Sequence, residues 1–354
     1  MSTIWNKYAD TAARKHDKPG RTVRPKSITI DIHAHAAVPA AAKFVGTNLD
    51  PASIPLAHFS SDYTKAVSAK QDDDIRPRMT EYDDRFRDMD AMGVDMQFVM
   101  PGPPQCYHTV RTEIAVPAAR IVNDGIAEYC TCHKDRLIPC GTVPMQDGHE
   151  AAKELDYCKS LGFRGVEILT NVNGKELSDP AFAPFWKRAE ELGMLVVLHP
   201  NGFTEGARMA RHYFSNVIGN PLETTLALHY LIFDGVLERH PKLKILAVHG
   251  GGFLGAYSGR IDHAWGARSD SNAGLPNPPT SYLKKIYVDT VVFTPLQLET
   301  LVKTFSPGQV LMGTDFPFDM LEHDPIGHIA AVDSFDEATR AALAGGNAKT
   351  LLGL

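Results

Sequence analysis

The stretch Ser27-Ile28-Thr29-Ile30-Asp31-Ile32-His33-Ala34-His35 is a β-branched apolar run that closes on two histidines. Residues of this type favour an extended backbone. Alternate side chains of a strand leave on one face, so His33 and His35 emerge together, near enough to grip one ion. Well downstream, His199 in Leu198-His199-Pro200, His249 in Val248-His249-Gly250-Gly251-Gly252 and Asp315 in Gly313-Thr314-Asp315-Phe316-Pro317 each end another apolar run. A lone strand-end histidine is ordinarily a satisfied polar residue. Five such groups at the ends of different strands read as one site assembled from a whole barrel.

The runs themselves carry the fold. They are 28–33, 96–100, 137–143, 165–169, 194–199, 245–249, 286–289 and 310–313. Several are nearly continuous Val, Ile and Leu, as parallel strands covered on both faces are. Helix-like segments lie between them, such as Asp179 to Leu192 and Pro221 to Arg239. Pro180 and Pro221 stand near their starts, and Gly193 just past the end of the first. Eight such units predict a (β/α)8 TIM barrel. A doubly wound sheet would rarely need eight alternations, nor polar residues at the C-terminal ends of so many strands.

With 354 residues, the chain is expected to form a single metal-dependent barrel domain over 1–354, preceded by an N-terminal extension over 1–26. Two segments break the alternation. Residues 40–78 contain no clear strand and are expected to form an insertion loop after strand one; a connection this long is usually functional or mobile. Residues 266–280, rich in Ser, Asn, Gly and Pro, read as an exposed loop.

The net charge of -6 gives no reason to expect nucleic acid or an anionic membrane as partner. No apolar run approaches the roughly 20 residues needed to cross a bilayer. Residues 1–26 lack the apolar core of a secretory signal, so a cytoplasmic location is expected. Five cysteines, an odd number, argue against a disulfide framework; reduced, partly buried thiols are expected. His58, His108, His133 and His149 are assigned to solvent or ordinary hydrogen bonds, and His229 to a helix. The run Gly250-Gly251-Gly252 is read as allowing close backbone approach rather than as a phosphate cradle. No nucleotide-binding element is present, so no organic cofactor is expected.

Imidazole and carboxylate together suit Zn²⁺ or another divalent first-row metal, Mn²⁺ included. The chain resembles the amidohydrolase superfamily. Within it, the resemblance is to α-amino-β-carboxymuconate-ε-semialdehyde decarboxylase and related non-oxidative decarboxylases. It runs from strand one to Gly353 and is densest from Gly165 to Phe318. It is carried by Gly165-Val166-Glu167-Ile168, His199-Pro200, Gly206-Ala207-Arg208-Met209, Pro221-Leu222-Glu223-Thr224-Thr225, Pro241-Lys242-Leu243-Lys244, His249-Gly250-Gly251-Gly252, Gly259-Arg260-Ile261 and Gly313-Thr314-Asp315-Phe316-Pro317-Phe318.

The resemblance implies that His33, His35, His199 and Asp315 hold one divalent ion, with Zn²⁺ expected, and that His249 is the general acid/base. Histidine's ordinary pKa near 6.5 suits that task. Binuclear relatives carry a bridging lysine on strand four; Glu167 stands there, which favours one ion. Arg76 falls at the family's substrate-binding arginine, with Arg78 as the alternative for that role. Arg260 and Arg268 match arginines donated across a subunit boundary, which implies a homodimer or higher homo-oligomer. Guanidinium groups suit carboxylate substrates. Asn201, where the decarboxylase has tryptophan, is a pocket position. The implied reaction is decarboxylation of a muconate semialdehyde or hydroxybenzoate from aromatic catabolism. A hydratase or hydrolase using the same metal and histidine is the alternative, and a non-catalytic barrel that binds an acidic metabolite is a further one.

Overall fold

The structure, a computed structural model, describes residues 20–354 apart from 273. Eight strands form where the apolar runs stand: Ile30–Ala36 (β1), Met96–Pro101 (β2), Leu137–Thr142 (β3), Gly165–Leu169 (β4), Leu195–His199 (β5), Lys244–Ala247 (β6), Ile286–Asp289 (β7) and Val310–Leu311 (β8). They lie side by side in chain order, and every paired neighbour is parallel. The sheet closes on itself just past β8. Ile32 N–H donates to Met312 O at 2.8 Å, Asp315 N–H to His33 O at 2.9 Å and His35 N–H to Phe316 O at 2.8 Å. The fold is the expected TIM barrel.

Both faces of the strands are buried, which explains the unbroken apolar runs. Leu195 and Val197 of β5 point into the barrel with Ile30, Ile32, Phe98 and Leu246. Val196 and Leu198 point outward, against the surrounding helices. The barrel floor is stopped by Leu351 and Leu352 of the last helix, Asn347–Leu352.

One irregularity aims the functional end of β1. Its pairing with β2 shifts by one residue between Asp31 and Ala34, a β-bulge. Before the bulge Ile30 and Ile32 face inward; after it Ala34 and Ala36 face outward. The extra residue therefore swings His33 and His35 onto the inner face.

The insertion is not a loop. It folds as Pro39–Val45, Pro55–His58 and the long helix Asp62–Thr80, with short 3-10 turns at Gly46–Asn48 and Pro51–Ser53. Ser61 caps the long helix by accepting from Thr64 N at 3.2 Å. Its buried positions are Thr64, Gln71, Ile75 and Met79. Half of these are polar, so no apolar stripe marked it as a helix. Residues 258–267 and 269–272 are likewise helical, leaving a shorter irregular stretch than 266–280.

The expected N-terminal extension lies outside the described residues up to 19. From there, the turn Gly20–Val23 docks through Gly20 N–H on Asp324 Oδ1 at 2.7 Å. All five cysteines are free, four of them buried. Among the described residues, no helix is long and apolar enough to cross a membrane.

Candidate metal centre and substrate cleft

His33, His35, His199, His249 and Asp315 converge at the C-terminal end of the barrel. The ring centroids of His33, His35 and His199 are 5.1–5.2 Å apart. His249 stands 5.1 Å from His199 and 5.2 Å from His33. Asp315 Oδ1 lies 3.3 Å from His33 Nε2 and 3.4 Å from His35 Nε2. Its Oδ2 lies 3.4 Å from His249 Nε2.

The outer nitrogens show which atoms face the centre. His35 Nδ1 lies 3.0 Å from the Pro101 carbonyl oxygen, and His199 Nδ1 2.7 Å from that of Pro200. A carbonyl only accepts, so each Nδ1 carries the hydrogen. His33 Nδ1 donates to Asp289 Oδ2 at 2.7 Å. All three Nε2 atoms then point lone pairs inward. Those of His33 and His35 stand 3.1 Å apart, a spacing that needs a cation or a shared proton between them. His199 Nε2 and Asp315 Oδ1 are buried with no hydrogen-bond partner. Buried polar atoms ordinarily have one. This donor set fits a divalent ion, because two nitrogens each about 2.1 Å from one ion stand on the order of 3 Å apart.

The electrostatics favour a charged Asp315 beside neutral His199 and His35, whereas, against the cost of burial, Asp315 and Asp289 hold His33 above its usual value. Burial works against a charged Asp315, but the neighbouring imidazoles of His33, His249 and His35 hold its carboxyl well below the usual range. Burial and the neighbouring imidazoles push His199 well down, toward the neutral form that binds metal. Burial also lowers His35. Burial and the charge of Asp315 push Glu167 of β4 well up, and neither of its oxygens has a partner.

Ligand atoms of His33, His199, His249 and Asp315 lie within 4.8 Å of one another, and His35 joins them through the contacts above. Five side chains thus converge on a site for one ion. They differ in anchoring. His33, His35 and His199 each have Nδ1 tied down, the usual outer support of a metal-bound imidazole. His249 Nδ1 has no partner.

The chain matches the Amidohydrolase family over residues 30–354. It belongs to that family. It is 34% identical over 299 residues to the 2-amino-3-carboxymuconate-6-semialdehyde decarboxylase of Dictyostelium discoideum, covering 84% of this chain and 83% of that one. Among solved structures it resembles the 5-carboxyvanillate decarboxylase of Sphingomonas paucimobilis, with a TM-score of 0.81 at 23% identity over 92% of this chain and 99% of the other. It also resembles a dihydroxybenzoic acid decarboxylase from a Polaromonas species, solved with bound manganese and an inhibitor. That TM-score is 0.75 at 24% identity, covering 93% and 97% of the two chains.

This amidohydrolase has an organising residue that the sequence reading passed over. Asp289 ends β7, fully buried. Besides His33, its Oδ2 accepts from His249 N–H at 3.0 Å, and its Oδ1 from Gly250 N–H at 2.9 Å and Val291 N–H at 3.1 Å. Burial opposes its charge, yet His33, His249 and these amides hold its pKa below the usual value. It was visible as the polar end of the seventh apolar run. Asp289 also supports an unusual backbone: His249 is left-handed, at φ 54° and ψ 47°. Gly252 follows at φ 65°, and a Cβ there would meet Pro221 O at 2.2 Å. The glycine run is therefore required by chain direction and packing, and Gly250 and Gly252 also border the cleft.

The cleft has two lobes that share Asn216, Asn220, Asp315 and Met320. One, of about 470 Å³, contains His249; the other, of about 350 Å³, contains His199 and Asn201. Asn201 thus sits where a pocket residue was expected. The arginines do not reach either lobe. Arg76 points away from the barrel, 68% exposed and paired with Asp73, because its position on the continuous helix Asp62–Thr80 turns it to solvent. Arg78 pairs with Asp88 at 2.7 Å. Arg268 is exposed and paired with Asp270 at 2.6 Å. Arg260 borders a separate shallow groove with Phe253 and Tyr257. His108, assigned above to solvent or ordinary hydrogen bonds, is buried. His229 lies in the helix Gly219–Phe233, as expected.

Proposed function

We propose that this amidohydrolase is a metal-dependent, non-oxidative decarboxylase acting on a carboxylated muconate semialdehyde or a hydroxybenzoate. The observation that carries the reading is the contrast in anchoring. Three imidazoles pinned at Nδ1 and a carboxylate suit one ion. A fourth imidazole beside them, unpinned and 15% exposed, suits proton transfer. The names of the Dictyostelium relative and of the two solved structures support this class of reaction.

His33, His35, His199 and Asp315 would hold the ion, Zn²⁺ or Mn²⁺. When bound, it supplies a Lewis acid that draws electron density from the substrate. His249 delivers the proton to the carbon that loses CO₂, so that C–H replaces C–C. Its left-handed backbone, tied by Asp289, holds the ring at the mouth of the larger lobe. Asn201 borders the other lobe and helps position the substrate. Burial and the charge of Asp315 work against an anionic Glu167, which makes it a poor bridge for a second ion.

No arginine among the described residues lines the cleft. We therefore place Arg260 and Arg268 in the site of a neighbouring copy, in a cytoplasmic homodimer or higher homo-oligomer. The helix Ser258–Ala267, which carries Arg260, packs Ile261 and Trp265 against the core but fully buries none of its residues, and Arg260 itself is exposed.

Elemental analysis and product analysis test the reading together. One divalent ion per chain and CO₂ release are expected, and His33→Ala should lose both ion and activity. Two ions per chain, or a product heavier by one water, would overturn it; the latter marks a hydratase or hydrolase.

A further inference from the structure

Beside the cleft, the C-terminal face of the barrel holds a further chamber, of about 300 Å³. It meets the His199 lobe at Ile54, Pro104 and Asn201, which border both. Its walls come from the insertion and from the segments that follow β2, β4 and β5. Hydrogen bonds tie these walls to one another. Ser53 Oγ stands 2.8 Å from Thr109 Oγ1, a bond that joins the insertion to the segment after β2. Leu56 N–H donates to Asn201 O at 3.0 Å and joins the insertion to the segment after β5. Glu223 accepts from Asn171 Nδ2 at 2.8 Å and from Thr204 N–H at 3.0 Å, which fixes the segments after β4 and β5 together. Gly202 N–H donates to Asn220 Oδ1 at 2.7 Å. A chamber braced in this way is formed before any ligand arrives, which lowers the cost of binding.

No Asp, Glu, Lys or Arg lines the chamber. His108 in its wall is neutral at pH 7, since burial pushes its pKa down to about 4. Leu49, Ile54, Phe59, Pro104 and Leu169 give it apolar sides. Ser53, Asn171 and Thr204 are spent on bracing the walls, but Thr170 and Asn201 are not. Thr170 is 1% and Asn201 8% exposed. Neither the Thr170 hydroxyl nor the Asn201 side-chain amide makes a hydrogen bond among the described residues, whereas buried polar groups ordinarily have a partner. A carboxylate leaves water only against positive charge or several donors, and the chamber offers neither. Apolar sides with one hydroxyl and one amide suit a ring that carries hydroxyl groups. We propose that the chamber is a second small-molecule site, separate from the metal centre, that binds an uncharged phenol and rejects the corresponding acid. On the decarboxylase reading, removal of CO₂ from a hydroxybenzoate supplies such a phenol; binding here does not require that reading.

Resorcinol serves as the uncharged probe and 2,6-dihydroxybenzoate as its acid. Resorcinol is titrated by calorimetry into the metal-loaded wild type, Thr170→Val and Thr170→Ser, and KM for the acid is measured on the same proteins. Resorcinol should bind the wild type. Its Kd should rise about tenfold in Thr170→Val, the scale of one lost hydrogen bond. Thr170→Ser, which keeps the hydroxyl, should restore it. KM for the acid should stay within about twofold throughout. The hydroxyl has no partner in the free protein, so Thr170→Val should not lower the melting temperature. No binding of resorcinol, equal affinity in Thr170→Val, or an acid KM that rises in step with the resorcinol Kd overturns the second site. A lower melting temperature together with weaker binding overturns it too, since the hydroxyl then serves the fold. If the wild type does not turn the acid over, the decarboxylase reading fails for that acid, and the resorcinol titrations alone decide the chamber.

Discussion

His249 is held by its backbone rather than by its ring. Its amide donates to Asp289 Oδ2, the oxygen that also receives His33 Nδ1. One carboxylate therefore positions both His33 and His249. His249→Ala should keep the ion and lose turnover by about 10²-fold or more, the usual scale for a general acid/base. Asp289→Asn should weaken metal binding and turnover together, because it disturbs His33 as well. Metal titration beside kinetics separates them, and loss of metal in His249→Ala would make His249 a ligand. A second residue speaks to stability. Burial pushes His108 down to about 4, whereas an unfolded histidine titrates near 6.5. Between those values the unfolded chain binds the extra proton. The contribution is thus complete above pH 6.5 and is lost as pH falls toward 4, on the order of 3 kcal/mol in all. Urea unfolding at pH 7 and pH 5 should show wild type losing about 2 kcal/mol more than His108→Gln; equal losses would refute it. The metal group was legible in the sequence because ligand residue types end apolar runs. Asp289 ends a run too, but its role depends on amides from another strand's end, which no local pattern encodes.

At the scale of elements, β1 shows what a strand pattern can and cannot tell. Period two puts His33 and His35 on one face, and they are on one face. Which face is decided by the bulge, and the sequence does not mark it. Arg85, from the helix Asp83–Met92, braces this bend from outside the barrel. It is fully buried, donates to Gln97 Oε1 at 2.8 Å and to the His35 carbonyl, and stands over the Phe316 ring. Gln97 in turn donates to Asp31 Oδ2 at 2.9 Å, and Asp31 accepts from Thr314 Oγ1 at 2.7 Å. The chain of contacts ties β1 to β2 and to the end of β8. Arg85→Met should leave Gln97 and the His35 carbonyl without their donor. A loss of about 2–4 kcal/mol is expected, as for breaking buried polar networks. Metal affinity should drop with it, read by denaturation and by metal titration. Unchanged affinity at reduced stability would confine Arg85 to the fold. The insertion was the element least legible. Its long helix buries Thr64 and Gln71 beside Ile75 and Met79, so it carries helix capping without helix amphipathicity.

Over the whole molecule, barrel closure was legible because each strand is buried twice and so reads as an unbroken apolar run. The arginines were not placed by the same logic, because their surroundings within one chain are solvent. Arg260 borders Tyr257, at 72% exposure, and Phe253, at 41%, on a face that one chain leaves open, and Arg268 is exposed as well. Large exposed aromatics clustered on one surface mark contact sites. If a second copy covers that face, two guanidiniums would enter its neighbour's cleft, which no arginine among the described residues lines. A charge-assisted contact to a carboxylate is worth roughly twice a neutral one, so Arg260→Ala should be nearly inactive while still binding metal. Complementation separates this from a local role. Arg260→Ala and His249→Ala proteins, each inactive alone, should regain activity when mixed and allowed to exchange subunits. One site of each hybrid dimer then holds both wild-type residues, so random exchange should restore up to about a quarter of wild-type activity, from simple binomial pairing of equal pools. Sedimentation must show exchange and a dimer or larger species. A fully active monomer, or no recovery after proven exchange, would return both arginines to the surface.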